Sequence, residues 1–121
     1  MSISDFNKSE LQTINNCLNQ RYKMIPELQL ADSELRLDQE TSELTLCPTA
    51  VWHESGVTFA VFKSDESEYR CLFYLNPSHQ FGTGTDKYND LGKCVLTLLQ
   101  VQADYERGNH EKWQNLAEFQ S

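Results

Sequence analysis

The segments VTFAVFK (57–63) and YRCLFYL (69–75) decide the fold of this chain. Both are rich in β-branched and aromatic residues. The charged stretch Ser64-Asp65-Glu66-Ser67-Glu68 between them reads as a hairpin turn. Each segment is apolar on both faces, which is expected of strands at the centre of a sheet, covered on two sides or meeting another subunit.

Moving toward the N-terminus, the period stays at two. Leu35 and Leu37 alternate with charges, and Leu44 and Leu46 do the same after Gln39-Glu40-Thr41-Ser42. That is a hairpin with one buried face. Pro48 is expected to interrupt the second strand at a bulge or an edge, with Val51-Trp52-His53 resuming it. Glu54-Ser55-Gly56 then supplies a turn into Val57. An antiparallel meander of four or five strands is the simplest topology.

The flanks change to a helical period. Over residues 1–26, Leu11, Ile14 and Leu18 recur on one face, and Asn7 with Glu10 forms a capping-box pair. Phe6 and Leu11 occupy the positions of a hydrophobic staple, and Pro26 is expected to stop the run. Residues 76–85 read as irregular, with a second helix starting near Thr85 or Asp86. Its stripe is Tyr88, Leu91, Val95, Leu98 and Tyr105, with Gly108 as a left-handed stop. A short terminal helix is expected around Trp113, Leu116 and Ala117. The expectation is one α+β domain over residues 1–121: N-terminal helix, 4–5-stranded antiparallel meander, long C-terminal helix and short terminal helix, packed as a two-layer sandwich.

Charge narrows the partners. Eighteen acidic against ten basic residues give a formal net charge of −8, which opposes direct contact with nucleic-acid phosphates or anionic membranes and favours a basic protein partner. No secretory pattern and no membrane-spanning run is visible, so a cytoplasmic setting is expected. Cys17, Cys47, Cys71 and Cys94 are far apart and form no CxxC pair; they read as reduced thiols acting as small apolar residues.

The catalytic patterns are thin. Phe81-Gly82-Thr83-Gly84-Thr85 precedes a helix but lacks the full phosphate-loop pattern, and reads as a connection with a Thr or Asp cap. His53, His79 and His110 show no metal-ligand spacing, and no cofactor motif is present. The carboxylates are more informative. In a meander, alternate turns share one end of the sheet. Asp38, Glu40 and Glu43 should therefore neighbour Asp65, Glu66 and Glu68 along one rim, with Asp32 and Glu34 extending it and Arg36 and Arg70 as internal relief. Trp52, Phe62 and Tyr74 are the candidate aromatic anchors for a protein contact. The outward parity of the central strands would place Thr58, Ala60, Phe62, Leu72 and Tyr74 on one face, to be covered by a partner or by homodimerisation.

These features point to a non-enzymatic protein-binding module, such as an inhibitor, an immunity-type protein or a chaperone-like adaptor. Two alternatives carry different signatures. A small-molecule-binding domain or enzyme would have a pocket under the 76–85 loop, and a nucleic-acid mimic would have a continuous acidic stripe.

Overall fold

The computed structural model describes residues 3–76 and 79–108. In chain order it contains α1 (Lys8–Arg21), β1 (Gln29–Leu35), β2 (Thr45–Glu54), β3 (Val57–Asp65), β4 (Glu68–Asn76), β5 (His79–Phe81) and α2 (Leu91–Gly108). The strands form one antiparallel sheet in the order β1-β2-β3-β4-β5, and both helices pack on one face of it. This is the expected two-layer α+β arrangement.

Helix α1 starts where the sequence places it. The Asn7 side chain accepts from the Glu10 N–H at 2.8 Å, and Glu10 accepts from the Asn7 N–H at 2.8 Å, closing the capping box. It ends earlier than Pro26 would require. Tyr22 is already extended and partly buried against the core, while Lys23 and Met24 point into solvent.

Pro48 does not interrupt β2, which runs unbroken from Thr45 to Glu54. Pro48 sits opposite Asp32 in β1, and β3 pairs with β2 only from Thr49 onward. The N–H that proline lacks therefore has no ladder partner to lose on the β3 side. The β2–β3 turn has positive φ at both central residues, 52° at Ser55 and 79° at Gly56, as a two-residue hairpin turn of the primed type requires.

Two departures lie after β4. Part of the stretch read as irregular forms the short strand β5. Helix α2 begins at Leu91 instead of Thr85, because Tyr88 is held in extended conformation by two backbone hydrogen bonds to Tyr69, both 2.7 Å. Asp90 then caps the helix through its side chain, which accepts from the Lys93 N–H at 3.1 Å. The expected terminal helix around Trp113 lies outside the described residues, and Gly108 is the last of them.

The core sits between the sheet and the helices. Ile14, Leu18, Trp52, Phe59, Val61, Phe73, Val95 and Leu98 are all but inaccessible to solvent. Trp52 stacks on Phe59 with centroids 5.2 Å apart, and the aromatic row continues through Phe73 to Phe81 and Tyr105. Such ring pairs add roughly 1 kcal/mol each beyond the area they bury.

Candidate functional site

One buried polar knot fixes the N-terminal end of the molecule. Lys63 on β3 reaches through the core to Glu10, 3.0 Å away, with the two side chains 3% and 10% exposed. The Tyr69 hydroxyl donates to the other oxygen of the same carboxylate, and Lys63 also donates to the Asp5 carbonyl at 3.2 Å. Burial pushes the Glu10 carboxyl upward. The hydrogen bonds from Tyr69 and Asn7 and the Lys63 ammonium outweigh it, leaving the group below its ordinary value. Burial, reinforced by the Glu10 carboxylate, holds the Tyr69 phenol far above its ordinary value.

This knot anchors residues 3–6 across one end of the sheet. Phe6 enters the core, and the Ser4 N–H donates to Glu66 at 2.8 Å. Together with Glu43 and Asp32, residues 3–5 line a groove of about 600 Å³ beside Leu44 and Leu46. A neighbouring hollow of about 330 Å³ shares Asp5, Asp32 and Pro48 with it and adds Leu30. The register explains this surface. Leu30, Asp32 and Glu34 of β1 stand opposite Ala50, Pro48 and Leu46 of β2, so they share the helix side of the sheet. The core cluster contains no residue of β1, and Leu30, Leu44 and Leu46 remain 57%, 55% and 58% exposed. The result is a leucine-and-carboxylate surface on the β1–β2 flank.

The expected acidic residues divide into two groups. Glu40 and Glu43 are exposed in the 36–44 connection, where the Asp38 side chain caps the Glu40 N–H at 2.9 Å. Asp65 caps the Glu66 N–H at 2.8 Å, and Glu66 holds Ser4, which pulls its carboxyl below the ordinary value. Glu68 is half-buried and serves Ser64 at 2.8 Å and Lys87 at 3.4 Å. Both acidic connections lie at the same end of the meander, as antiparallel order demands, and residues 3–5 touch each of them. Sequence reasoning missed this N-terminal segment. The available signal was Ile3 and Phe6, two apolar residues ahead of the cap.

Two of the three aromatic anchors need correction. Trp52 has no exposed surface; it stacks under the helices, so it builds the core and offers no contact to a partner. Phe62 is 8% exposed because the chain covers it itself, in a second cluster with Cys47 and Ala60 packed by Ile3, Leu35 and Leu37. Tyr74 is half-buried opposite Thr58 on the sheet face away from the helices.

Among the described residues no group of three His, Cys, Asp or Glu side chains could hold a metal ion. His53 meets Thr58 at 2.8 Å and His79 meets Asn76 at 2.9 Å, while His110 lies outside the described residues. Cys71 and Cys94 meet across the β4–α2 contact, where Cys71 Sγ lies 3.8 Å from the Cys94 carbonyl oxygen. Hydrogen bonding from Cys94 draws the half-buried Cys71 thiol below its ordinary value against the effect of burial, and raises that of Cys94.

No protein-family model, no curated protein and no solved structure matches this chain.

Proposed function

We propose that this chain is a non-enzymatic protein-binding module whose β1–β2 flank holds a basic, amphipathic segment of a partner protein. The observation that carries the reading is the pairing of exposed Leu30, Leu44 and Leu46 with Asp5, Asp32 and Glu43 around two adjoining hollows, with exposed Glu34 on the same side of β1. Apolar side chains supply contact area, and surrounding carboxylates select a cationic partner and steer its approach. The same carboxylates oppose a homodimer through β1, since Asp32 and Glu34 of two copies would face each other across the edge.

The test uses a synthetic peptide of alternating leucine and lysine, its acidic counterpart of alternating leucine and glutamate, and pull-down from native lysate. The cationic peptide should bind with one-to-one stoichiometry and be released by salt, while the acidic one should not bind. Leu30→Ser combined with Leu46→Ser should abolish both peptide binding and capture of any stoichiometric lysate protein. Equal binding of the two peptides, or full binding by the doubly substituted chain, would overturn the reading.

A further inference from the structure

A second groove, of opposite charge, runs over the sheet face away from the helices to the β5 edge. Strand β5 pairs with β4 only at Phe73, Tyr74 and Asn76, and the next contact along that edge is the Tyr69–Tyr88 bridge. Between these points residues 82–87 span only residues 70–72 of β4 and turn through Gly84 at φ +88°, with Thr83 beside the Cys71 thiol. Tyr69 directs both its N–H and its carbonyl outward to Tyr88. By the two-residue alternation of an antiparallel strand, Cys71 directs its own N–H and carbonyl into the gap. A stretch of strand edge is thus left open as one wall of a groove of about 460 Å³.

Charge singles out this groove in a chain of net charge −8. Arg36 and Arg70 both line it, and among the described residues exposed Asp86 is the one acid in the lining. Arg70 is only 26% exposed, and its Nε is fully buried without an acceptor among the described residues. Its nearest carboxylate, Glu68, stands 3.9 Å from the guanidinium and is shared with Ser64 and Lys87. The Nε atom is itself closed to a ligand; the partly exposed remainder of the guanidinium, whose 3.9 Å contact with Glu68 is long for a hydrogen bond, is the part that an anion in the groove would meet. Leu35, Leu37, Phe62 and Leu72 make the remaining wall apolar, and the volume falls within the range of roughly 300–1,000 Å³ usual for small-ligand sites.

We propose that this groove binds an organic carboxylate with an apolar body, the carboxylate meeting Arg70 and Arg36 and the body lying against Leu35, Leu37, Phe62 and Leu72. The net positive lining suits a monoanion, and the apolar wall disfavours inorganic phosphate. Two sources present this chemistry: a free aliphatic acid, and the terminal carboxylate of an extended peptide, which could also pair with the open Cys71 edge. The site borrows Leu35, Arg36 and Leu37 from β1 and the 36–44 connection but shares no lining residue with the leucine-and-carboxylate groove, so the two can be tested separately.

Octanoate, methyl octanoate, octylamine and inorganic phosphate, titrated into the isotope-labelled full chain, test the proposal through the amide shifts of Cys71, Gly82 and Gly84. Octanoate should shift all three saturably, with the ester and the amine weaker by at least about tenfold, the size expected for losing a charge-assisted contact. A leucine-rich tetrapeptide with a free C-terminus, compared with its C-terminal amide, separates the sources. Tighter binding of the free-ended peptide than of octanoate assigns a chain end; octanoate alone assigns a free acid. Arg70→Gln should reduce octanoate affinity to the level of the ester. The exposed Arg36→Gln, which leaves the core untouched, should weaken octanoate several-fold and keep the melting temperature. Equal binding of octanoate and its ester, phosphate binding as tightly as octanoate, or no shifts at these amides would overturn the proposal.

Discussion

The centre of the sheet and its β1–β2 flank obey the same alternation on the same face, and they end in opposite states. At the centre, Ala50, Trp52, Phe59, Val61 and Phe73 are buried to 1% exposure or less under α1 and α2. On the flank, Leu30 and Leu46 continue the same side of the sheet and remain more than half exposed. Period two assigns a side chain to a face, but only a covering layer buries it. What distinguishes the regions is the placement of two helices, and the uncovered leucines are ringed by acids where the covered ones meet rings and aliphatics.

The sharpest way to break this comparison is to empty the centre. Trp52→Ala removes a fully buried indole stacked on Phe59, and should lower unfolding free energy by about 3–5 kcal/mol in urea titration. A loss under 1 kcal/mol would mean that the helices do not close over the sheet as described.

Next in size is the Glu10–Lys63 knot, which ties the centre to the N-terminal segment of the flank. Glu10→Gln can still complete the capping box, but it leaves the Lys63 ammonium buried without its anion, and should cost about 3 kcal/mol at neutral pH. The wild type adds a pH signature. The Glu10 carboxyl lies below its ordinary value of 4.5 in the folded chain, so its contribution is complete above that value and is lost as pH falls through the folded one. Urea midpoints of the wild type should therefore decline below about pH 4.5, and this component of the decline should be missing in Glu10→Gln. Parallel acid profiles for the two chains would remove Glu10 from the account.

The flank should respond in the opposite way. Leu30→Ser with Leu46→Ser deletes exposed apolar surface, so stability should change by about 0.5 kcal/mol or less per site. A loss comparable to Trp52→Ala would show these leucines to be core. Flat stability with lost binding of the leucine–lysine peptide would separate a folding surface from a docking one.

The sequence made the two regions unequally legible. VTFAVFK and YRCLFYL revealed the central strands, and Asn7 with Glu10 revealed the start of α1, because each signal is local. Pro48 misled, since its tolerance depends on where the β2–β3 ladder begins, which is a matter of partner strands. Trp52 and Phe62 misled for a related reason: parity tells the face and not the cover, which comes from helices and from Ile3, Leu35 and Leu37. The Arg36–Arg70 groove was invisible because the residues closing it lie on separate strands and a loop. The acidic connections were legible as sharing one end, but residues 3–5, which link them, were not.

That last feature sets up the smallest effect and the finest comparison. Glu40 and Glu66 are both exposed acids on the two connections at that end, yet Glu66 also holds the Ser4 N–H, while the Glu40 backbone is capped locally by Asp38. Glu40→Lys should slow association of the leucine–lysine peptide by about three- to tenfold at low ionic strength, and the effect should vanish near 0.5 M salt, where screening reaches within a few ångströms. Glu66→Lys should show the same salt-dependent loss plus a remainder that survives high salt, because releasing Ser4 loosens the segment that lines the groove. Stopped-flow rates across a salt series would separate the two. Identical curves would mean that the 3–5 segment takes no part in docking, and the flank would then reduce to its leucines and the steering field around them.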